Sequence, residues 1–242
     1  MIYFILLFLL SFDLFSLDPL LSYYNVRLRY FNTVNILQRS KLWSWFVQSD
    51  WQHSHHRDTL LWFALSIHII YKHGGTVLSW DSLSLDTLPS PENPVIAACE
   101  EGVLATNVIS FPAKHQVIEN MLDLAEKTPT LETFNTFSLQ TEILRVCKTE
   151  DIEDLKFKQC LDFKPLLPTE SFCPVEKSRY WQIFDDKRSA IVMRQVKQSK
   201  TLNLWLEQSQ DIKSWVSPSS NNAFTSLAQT WCFESLRIHK EF

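Results

Sequence analysis

Glycine is the residue that this chain most clearly lacks. Only three glycines occur among its 242 residues, whereas ordinary usage would supply about 17. Two of them, Gly74 and Gly75, are adjacent. A pair kept in so glycine-poor a sequence indicates a backbone position that other residues do not tolerate.

An excess of positive charge is also missing. The chain has 23 Lys and Arg against 27 Asp and Glu, for a formal net charge of -4. Binding to a phosphate backbone requires a basic surface that neutralises the phosphates. The composition therefore argues against nucleic acid as a partner, and its 45% hydrophobic content is that of an ordinary globular chain.

The cysteines show no metal-binding spacing. Because no CxxC pair occurs, a zinc-thiolate site is not expected. An odd number leaves at least one thiol unpaired, so the cysteine count leaves the redox compartment open. The five cysteines are Cys99, Cys147, Cys160, Cys173 and Cys232.

No hydrophobic run reaches the ~20 residues that a transmembrane helix needs. The amino terminus is apolar from Ile2 to Leu10, and Asp13 follows soon after. No Lys or Arg precedes this run, so the basic region of a signal peptide is absent. Three interpretations stay open for residues 1–17: a signal sequence or membrane anchor, a buried strand, or a mis-assigned start. Since no repeat or linker divides the remainder, residues 18–242 are predicted to form one domain.

Around the glycine pair, the hydropathy pattern predicts a helix, a turn and a strand. Residues 58–73 are apolar nearly all round, with Asp58 at the N-cap and His73 in the last turn, where a cation is favoured. Gly74 suits a left-handed C-cap. A strand over residues 76–80 then presents Asp81 beyond its carboxyl end, where ligands bind in α/β sheets.

Other segments complete an α/β pattern of alternating strands and amphipathic helices. We predict strands around residues 26–30, 95–100, 103–111 and 201–205, and helices over residues 115–127 and 137–147.

The segment IIYKHGGTVLSWD resembles the "LxKYGGIYLDTD" segment of the α-1,4-glycosyltransferases, the family of lactosylceramide 4-alpha-galactosyltransferase and alpha-1,4-N-acetylglucosaminyltransferase. Further segments resemble this family in the same order along the chain, among them VLATNVISFPAKHQVIENML and LNLWLEQS. The resemblance spans most of residues 19–231. Within the first segment, the matching residues are Tyr71, Lys72, Gly74, Gly75, Leu78 and Asp81.

The resemblance implies a Rossmann-like nucleotide-sugar fold of the GT-A type, with a mostly parallel sheet flanked by helices and lacking its first strands. It also implies a UDP-sugar donor, Mn²⁺, residence in the Golgi lumen or membrane, and retaining transfer of galactose or N-acetylglucosamine to a glycolipid or glycan. A divalent cation would neutralise the charge that builds up on the leaving UDP.

The family's DxD sequence, which supplies the metal-binding carboxylates, is represented here by Ser79, Trp80 and Asp81. By resemblance, Asp81 is the expected metal ligand. The expected donor-binding residues are Gly74, Gly75, Ser79, Trp80, Asp81 and Trp205. No catalytic residue is assigned. The alternative for Asp81 is that of a turn residue.

Several departures affect the polar positions of the family pattern. Ser79 replaces a carboxylate, and Phe63 and Ser66 stand where the family carries an Asp and an Arg. In the segment that resembles "VHVWN", Asn203 replaces the His and Leu206 the Asn. These losses support a second hypothesis: a catalytically impaired or inactive homologue that acts as a lumenal binding protein, or a truncated gene product.

The resemblance also pairs two cysteines. Cys147 and Cys160 match paired cysteines of the family, which implies a disulfide; two separate buried thiols are the alternative. His53, His55 and His56 precede a helix without the spacing of a helical zinc site, and we expect them in a solvated loop. His68 is expected to be a core residue.

Overall fold

The computed structural model divides the chain into two compact units, Met1–Ser40 and Lys41–Phe242. The predicted boundary between residues 17 and 18 lies outside the described residues and stays a prediction. The residues that the structure describes are 4–6, 26–28, 32–88, 90, 92, 98–100, 102–156, 160, 169–206, 208 and 220–231.

In the first unit, two short strands pair in parallel. Strand β1 (Phe4–Leu6) lies within the apolar amino-terminal segment and pairs with β2 (Val26–Leu28). Strand β2 confirms the predicted strand at its first three residues, and residues 29–30 lie outside the description. Helix α1 (Thr33–Leu37) follows, and the side chain of Asn32 caps it by accepting a hydrogen bond from the Asn35 backbone.

The long buried helix of the second unit ends at the glycine pair, as predicted. Helix α2 (Trp43–Gln48) precedes α3 (Arg57–His73). The predicted N-cap is wrong by two residues: His56 occupies that position, and Asp58 lies in the first turn, where a carboxylate is favoured by the helix dipole. Gly74 has φ 66° and ψ -177°, so its φ is positive as predicted, but its ψ is extended rather than left-handed helical.

The strands before and after residues 79–81 pair in antiparallel fashion. Strand β3 (Gly75–Leu78) pairs with β7 (Val108–Phe111), so that Leu78 lies opposite Val108. Strand β4 (Ser82–Ser84) pairs with β8 (Thr201–Asn203). Helix α3 packs on β3 and β7. The strand predicted over residues 76–80 is therefore displaced, and Ser79 begins a turn.

The strand predicted over residues 103–111 is broken in two. Strand β5 (Ala98–Glu100) pairs with β6 (Val103–Leu104), and β7 begins only at Val108. Asn107 lies between the two strands in the chain, and its side-chain amide donates to the Phe172 carbonyl. The mixed helix and strand content confirms the α/β class. Among the described strands, however, a mostly parallel sheet is not seen, since only β1 and β2 pair in parallel.

The two predicted amphipathic helices are confirmed. Helix α4 (Gln116–Lys127) is capped by His115, whose Nδ1 accepts from the Val117 N–H at 3.3 Å. Helix α5 (Ser138–Cys147) packs against α4. Beyond them lie helices α6 (Ser189–Val196) and α7 (Ala223–Trp231), and 3-10 helices at Asp50–His53, Ile152–Lys156, Thr169–Ser171 and Lys177–Phe184.

Aromatic residues contribute to the core. Trp45, Phe63 and Phe134 are fully buried. The ring of Phe134 lies 5.2 Å from Trp45 and 5.4 Å from Phe63, measured between centroids. A second buried cluster surrounds β8 and includes Ile183, Val192 and Leu202. This second cluster supports the end of β8, next to the turn that follows β3.

Two disulfides join segments of the second unit. The Cys147–Cys160 bridge confirms the pairing implied by the resemblance. The Cys99–Cys173 bridge joins β5 to the residues that follow Thr169–Ser171. The sequence offers no signal for this second bridge, because its cysteines are 74 residues apart.

Candidate functional site

A tight turn of residues 79–81 joins β3 to β4; we call it the 79–81 turn. The N–H of Ser79 donates to the Asn107 carbonyl at 2.8 Å, and the N–H of Ser82 donates to the Ser79 carbonyl at 3.0 Å. Ser79 and Asp81 are partly buried, whereas the Trp80 side chain is 59% exposed. The turn therefore holds one carboxylate close to the protein and presents an indole to solvent.

The carboxylate of Asp81 is bound by a neighbouring hydroxyl. Ser79 Oγ donates to Asp81 Oδ1 at 2.6 Å and lies 2.7 Å from the hydroxyl of Ser82. One carboxylate flanked by hydroxyls suits a hard divalent cation that the phosphates of a substrate also hold. It is too small a donor set for a metal that is bound before the substrate arrives. In the described part of the chain, no group of three or more His, Cys, Asp or Glu residues could hold a metal ion.

The end of β8 lies beside this turn. The N–H of Leu204 donates to the Asp81 carbonyl at 2.8 Å. The next residue, Trp205, has φ 52°, an unusual backbone conformation for a bulky side chain. The Asn203 side chain supports it by accepting the Trp205 N–H at 3.0 Å. The predicted strand over residues 201–205 therefore ends at Asn203, and Trp205 is brought close to the 79–81 turn.

The indole of Trp205 also has a structural role. Its Nε1 donates to the Val175 carbonyl at 3.0 Å, and its ring packs on the buried cluster around β8. These contacts fix the ring direction. Only the remaining exposed part of Trp205 is available to a ligand.

The two glycines lie at the other end of β3 from Asp81. Gly75 begins this strand and Leu78 ends it, a separation of about 10 Å at the usual rise per residue. A Cβ on Gly74 would stand 2.7 Å from the Ala113 backbone nitrogen, so the close approach of the two backbones accounts for this glycine. Gly75, with φ 120°, has open space around it. The structure does not bring these glycines together with the 79–81 turn.

The positions where the family carries a charged pair are buried in the core. Phe63 and Ser66 have no exposed surface. Phe63 packs on Phe134, and within the described residues the Ser66 hydroxyl has no hydrogen-bond partner. Charged side chains at these positions would lose their hydration without compensation. Helix α3 therefore contributes apolar packing rather than charge.

The histidines lie away from the 79–81 turn along the chain. His53, His55 and His56 are exposed, as predicted. However, His53 ends a 3-10 helix and His56 is the N-cap of α3, so they do not form one loop. On α3, His68 is partly buried. Burial lowers the pKa of His68 below its ordinary value, and the charges of Lys72 and His73 lower it further.

Sequence reasoning missed the residues that hold the turn in place. Asn107 is 5% exposed and binds the turn through its main chain, while Ser82 adds a hydroxyl beside Ser79. A polar residue before an apolar strand was the only available signal for Asn107.

In the described part of the chain, no helix has both the length and the apolar character to cross a bilayer.

Comparisons with known proteins point to one group of enzymes. Residues 110–239 match the family described as "Alpha 1,4-glycosyltransferase conserved region". A human alpha-1,4-N-acetylglucosaminyltransferase is 27% identical over 208 residues, which are 84% of this chain and 58% of the relative. The chain thus spans little more than half the length of this curated relative.

A solved structure of the PaToxG glycosyltransferase is also similar. It has 16% sequence identity to this chain, with a TM-score of 0.39 over 54% of this chain and 50% of that one. A similarity of this size carries no argument about the site.

Proposed function

The chain belongs to the α-1,4-glycosyltransferase family, and we propose that it transfers a hexose from a UDP-sugar to a glycan or glycolipid acceptor with retention of the α configuration. Family membership rests on residues 110–239, which begin after the 79–81 turn. The proposed donor site rests on one structural observation: Asp81 follows the carboxyl end of β3 and is joined to the end of β8 through Leu204. Asp81 is therefore the carboxylate around which we build the site.

We assign a divalent cation, with Mn²⁺ as the first candidate, to the carboxylate of Asp81. When bound, the cation would neutralise negative charge that develops on the leaving diphosphate. Because Asp81 and the hydroxyls of Ser79 and Ser82 form a small donor set, the diphosphate has to supply further ligands. Cation and nucleotide should therefore bind together, with little binding of the cation alone.

The exposed side chains around Asp81 suggest how the donor is oriented. The indole of Trp80 is 59% exposed and offers a flat surface on which a nucleobase or sugar ring stacks. Trp205, which lies just beyond the end of β8, borders the site. Gly74 and Gly75 enter the proposal as the residues that set the start of β3. No nucleophile is assigned.

Galactose and N-acetylglucosamine are the two sugars that we propose as donors. The human relative is named for N-acetylglucosamine, so UDP-N-acetylglucosamine is the first donor to examine. A Golgi location is proposed from the family. The two disulfides support it, since such bridges persist in oxidising compartments such as the secretory pathway.

A second candidate is a homologue that binds sugar nucleotides or glycans without turnover, or a truncated gene product. The observation in its favour is that Phe63 and Ser66 are uncharged and buried in the core, and that Ser79 offers a hydroxyl rather than a carboxylate. All three occupy positions at which the family carries charge. In such a homologue the hydrophobic core of the family is kept, whereas the charged side chains of the site are lost.

Calorimetric titration of UDP-N-acetylglucosamine and UDP-galactose into the full chain, with and without Mn²⁺, tests the proposal. Asp81→Asn is the test variant. Asp86→Asn is its matched control, because Asp86 is exposed and pairs with Lys200 outside the turn. We expect binding that requires Mn²⁺, is lost in Asp81→Asn and is kept in Asp86→Asn.

Product formation with glycan acceptors then separates the two candidates. Turnover supports the transferase, whereas binding without turnover supports the inactive homologue. No binding of either nucleotide to the folded wild-type chain would refute the donor site.

A further inference from the structure

The segment of residues 172–175 is hydrogen-bonded to Asn107, Thr201 and Trp205, which border the candidate site; we call it the 172–175 segment. Its residues are buried. The Phe172 carbonyl accepts two hydrogen bonds, from the Asn107 side-chain amide at 3.2 Å and from the Thr201 hydroxyl at 2.9 Å. The Val175 carbonyl accepts the indole N–H of Trp205.

These bonds lead to the 79–81 turn from two sides. On one side, Asn107 binds the 172–175 segment through its side chain and the Ser79 N–H through its own carbonyl. On the other side, Thr201 begins β8 and Leu204, just after its end, donates to the Asp81 carbonyl. The two ends of the turn are therefore tied to one carbonyl group, that of Phe172.

The Cys99–Cys173 disulfide anchors this arrangement. Cys173 follows Phe172 directly, and the bridge joins it to β5. The sulfur atoms of both cysteines lie 3.6 Å from Asn107 Oδ1. The amide of Asn107 is thus enclosed by the bridge on one side and by the Phe172 carbonyl on the other.

We propose that the 172–175 segment, anchored by Cys99–Cys173, is the positioning element of the donor site, and that Asn107 and Thr201 transmit its position to the 79–81 turn. The proposal rests on the proposed function insofar as the positioned carboxylate binds a donor. Its structural part stands alone, because a turn held at both ends should be protected from solvent exchange. Loss of either bond to Phe172 should loosen the turn locally without unfolding the chain.

Hydrogen–deuterium exchange of the full chain, read on peptides that contain residues 79–82, tests the structural part. We expect Asn107→Ala to reduce protection there about tenfold, the effect of losing one buried hydrogen bond. Helix α4 serves as the internal reference for global stability. Asn135→Ala is the matched control, since it also removes a side-chain bond to a carbonyl, that of Leu131, but lies outside this network.

Two further variants keep the test decisive if Asn107→Ala does not fold. Thr201→Val removes the second bond to Phe172 with little change in shape. Cys99→Ala/Cys173→Ala removes the anchor, with Cys147→Ala/Cys160→Ala as the control bridge. Unchanged protection of residues 79–82 in the variants that fold would overturn the proposal, as would an equal loss of protection in α4.

Donor affinity separates this proposal from the proposed function. If the wild-type chain binds UDP-N-acetylglucosamine with Mn²⁺, the dissociation constant should rise about tenfold in Thr201→Val, matching the lost protection, and stay unchanged in Asn135→Ala. An unchanged constant despite lost protection would refute the link to the donor. If the wild-type chain binds no nucleotide sugar, the proposed function fails, and the exchange experiment still decides whether the 172–175 segment positions the turn.

Discussion

The hydroxyl of Ser79 donates a 2.6 Å hydrogen bond to the carboxylate of Asp81 two residues later. The bond holds Asp81 in the conformation that the turn imposes. A cation bound by this carboxylate would compete with the Ser79 hydroxyl for Asp81 Oδ1. Ser79 therefore stabilises the turn without supplying negative charge, and the balance between these effects can be measured.

Ser79→Asp should convert the turn into a metal-dependent one. Two carboxylates at this spacing repel each other, and we expect a loss of about 1 kcal/mol in unfolding free energy without metal. Mn²⁺ should restore this loss and raise the melting temperature of the variant more than that of the wild type. Thermal unfolding with and without Mn²⁺ measures both effects.

Ser84→Asp is the control for added charge; it lies on β4, the strand that follows the turn. It should show no response to Mn²⁺ beyond that of the wild type. An equal response in both variants would mean that Mn²⁺ acts through net charge rather than through the 79–81 turn.

Gly74→Ala should destabilise the chain by about 3 kcal/mol, the sum of strain at positive φ and a steric clash. The clash arises because the new Cβ would lie 2.7 Å from the Ala113 nitrogen. Gly102→Ala is the matched control, since its φ of 72° is similar but the space around it is open; it should cost about 1 kcal/mol. Chemical denaturation gives both values, and equal losses would contradict the close approach.

The two disulfides should contribute unequally to stability. Loop-closure entropy predicts about 4.5 kcal/mol for Cys99–Cys173 and about 3 kcal/mol for Cys147–Cys160, because their cysteines are 74 and 13 residues apart. Denaturation of the two double-alanine variants measures the difference. A larger loss from the shorter bridge would show that local packing, rather than loop length, decides their contributions.

His68 should make stability depend on pH in the weakly acidic range. Its pKa in the folded chain lies below the ordinary value of 6.5, first because of burial. As the pH falls through 6.5, the unfolded chain therefore takes up a proton before the folded chain does, and stability falls until the folded pKa is reached. His68→Leu should flatten the curve of unfolding free energy against pH in this range.

His53→Leu is the control for the loss of an exposed histidine. It should leave the pH dependence of the wild type in place. A curve for His68→Leu that runs parallel to the wild-type curve would refute the role of His68.

Local patterns were sufficient for much of the fold. Helix α4 was predicted within one residue because its apolar residues recur on one face, and the end of α3 because Gly74 follows Lys72 and His73. The pairing of strands was less accessible. The expected mostly parallel sheet is not seen among the described strands, since β3 meets β7 and β4 meets β8 in antiparallel fashion. Hydropathy reports which residues are buried, but not which strand lies beside which.

The residues of the candidate site were also only partly predictable from the sequence. The sequence pointed to Asp81 as the carboxylate that follows a strand, and to Ser79 as its altered partner, because neighbours in the chain form one turn. The donor contacts of Gly74, Gly75, Ser79, Trp80, Asp81 and Trp205 stay predictions. The motif did not reveal that Gly74 and Gly75 lie at the far end of β3 from Asp81. Residues close in sequence are separated in space when an extended strand lies between them.

The sequence by itself determined the family, the amphipathic helices and the one carboxylate of the 79–81 turn, all of which depend on residue type and short spacing. Only the tertiary structure decided that Asn107, Phe172, Thr201 and Leu204 meet around that turn. The Phe172 carbonyl bonds residues 65 and 29 positions away. Such bonds depend on how distant segments pack, and no local pattern encodes them. The carboxylate is therefore a property of the sequence, and its position is a property of the folded chain.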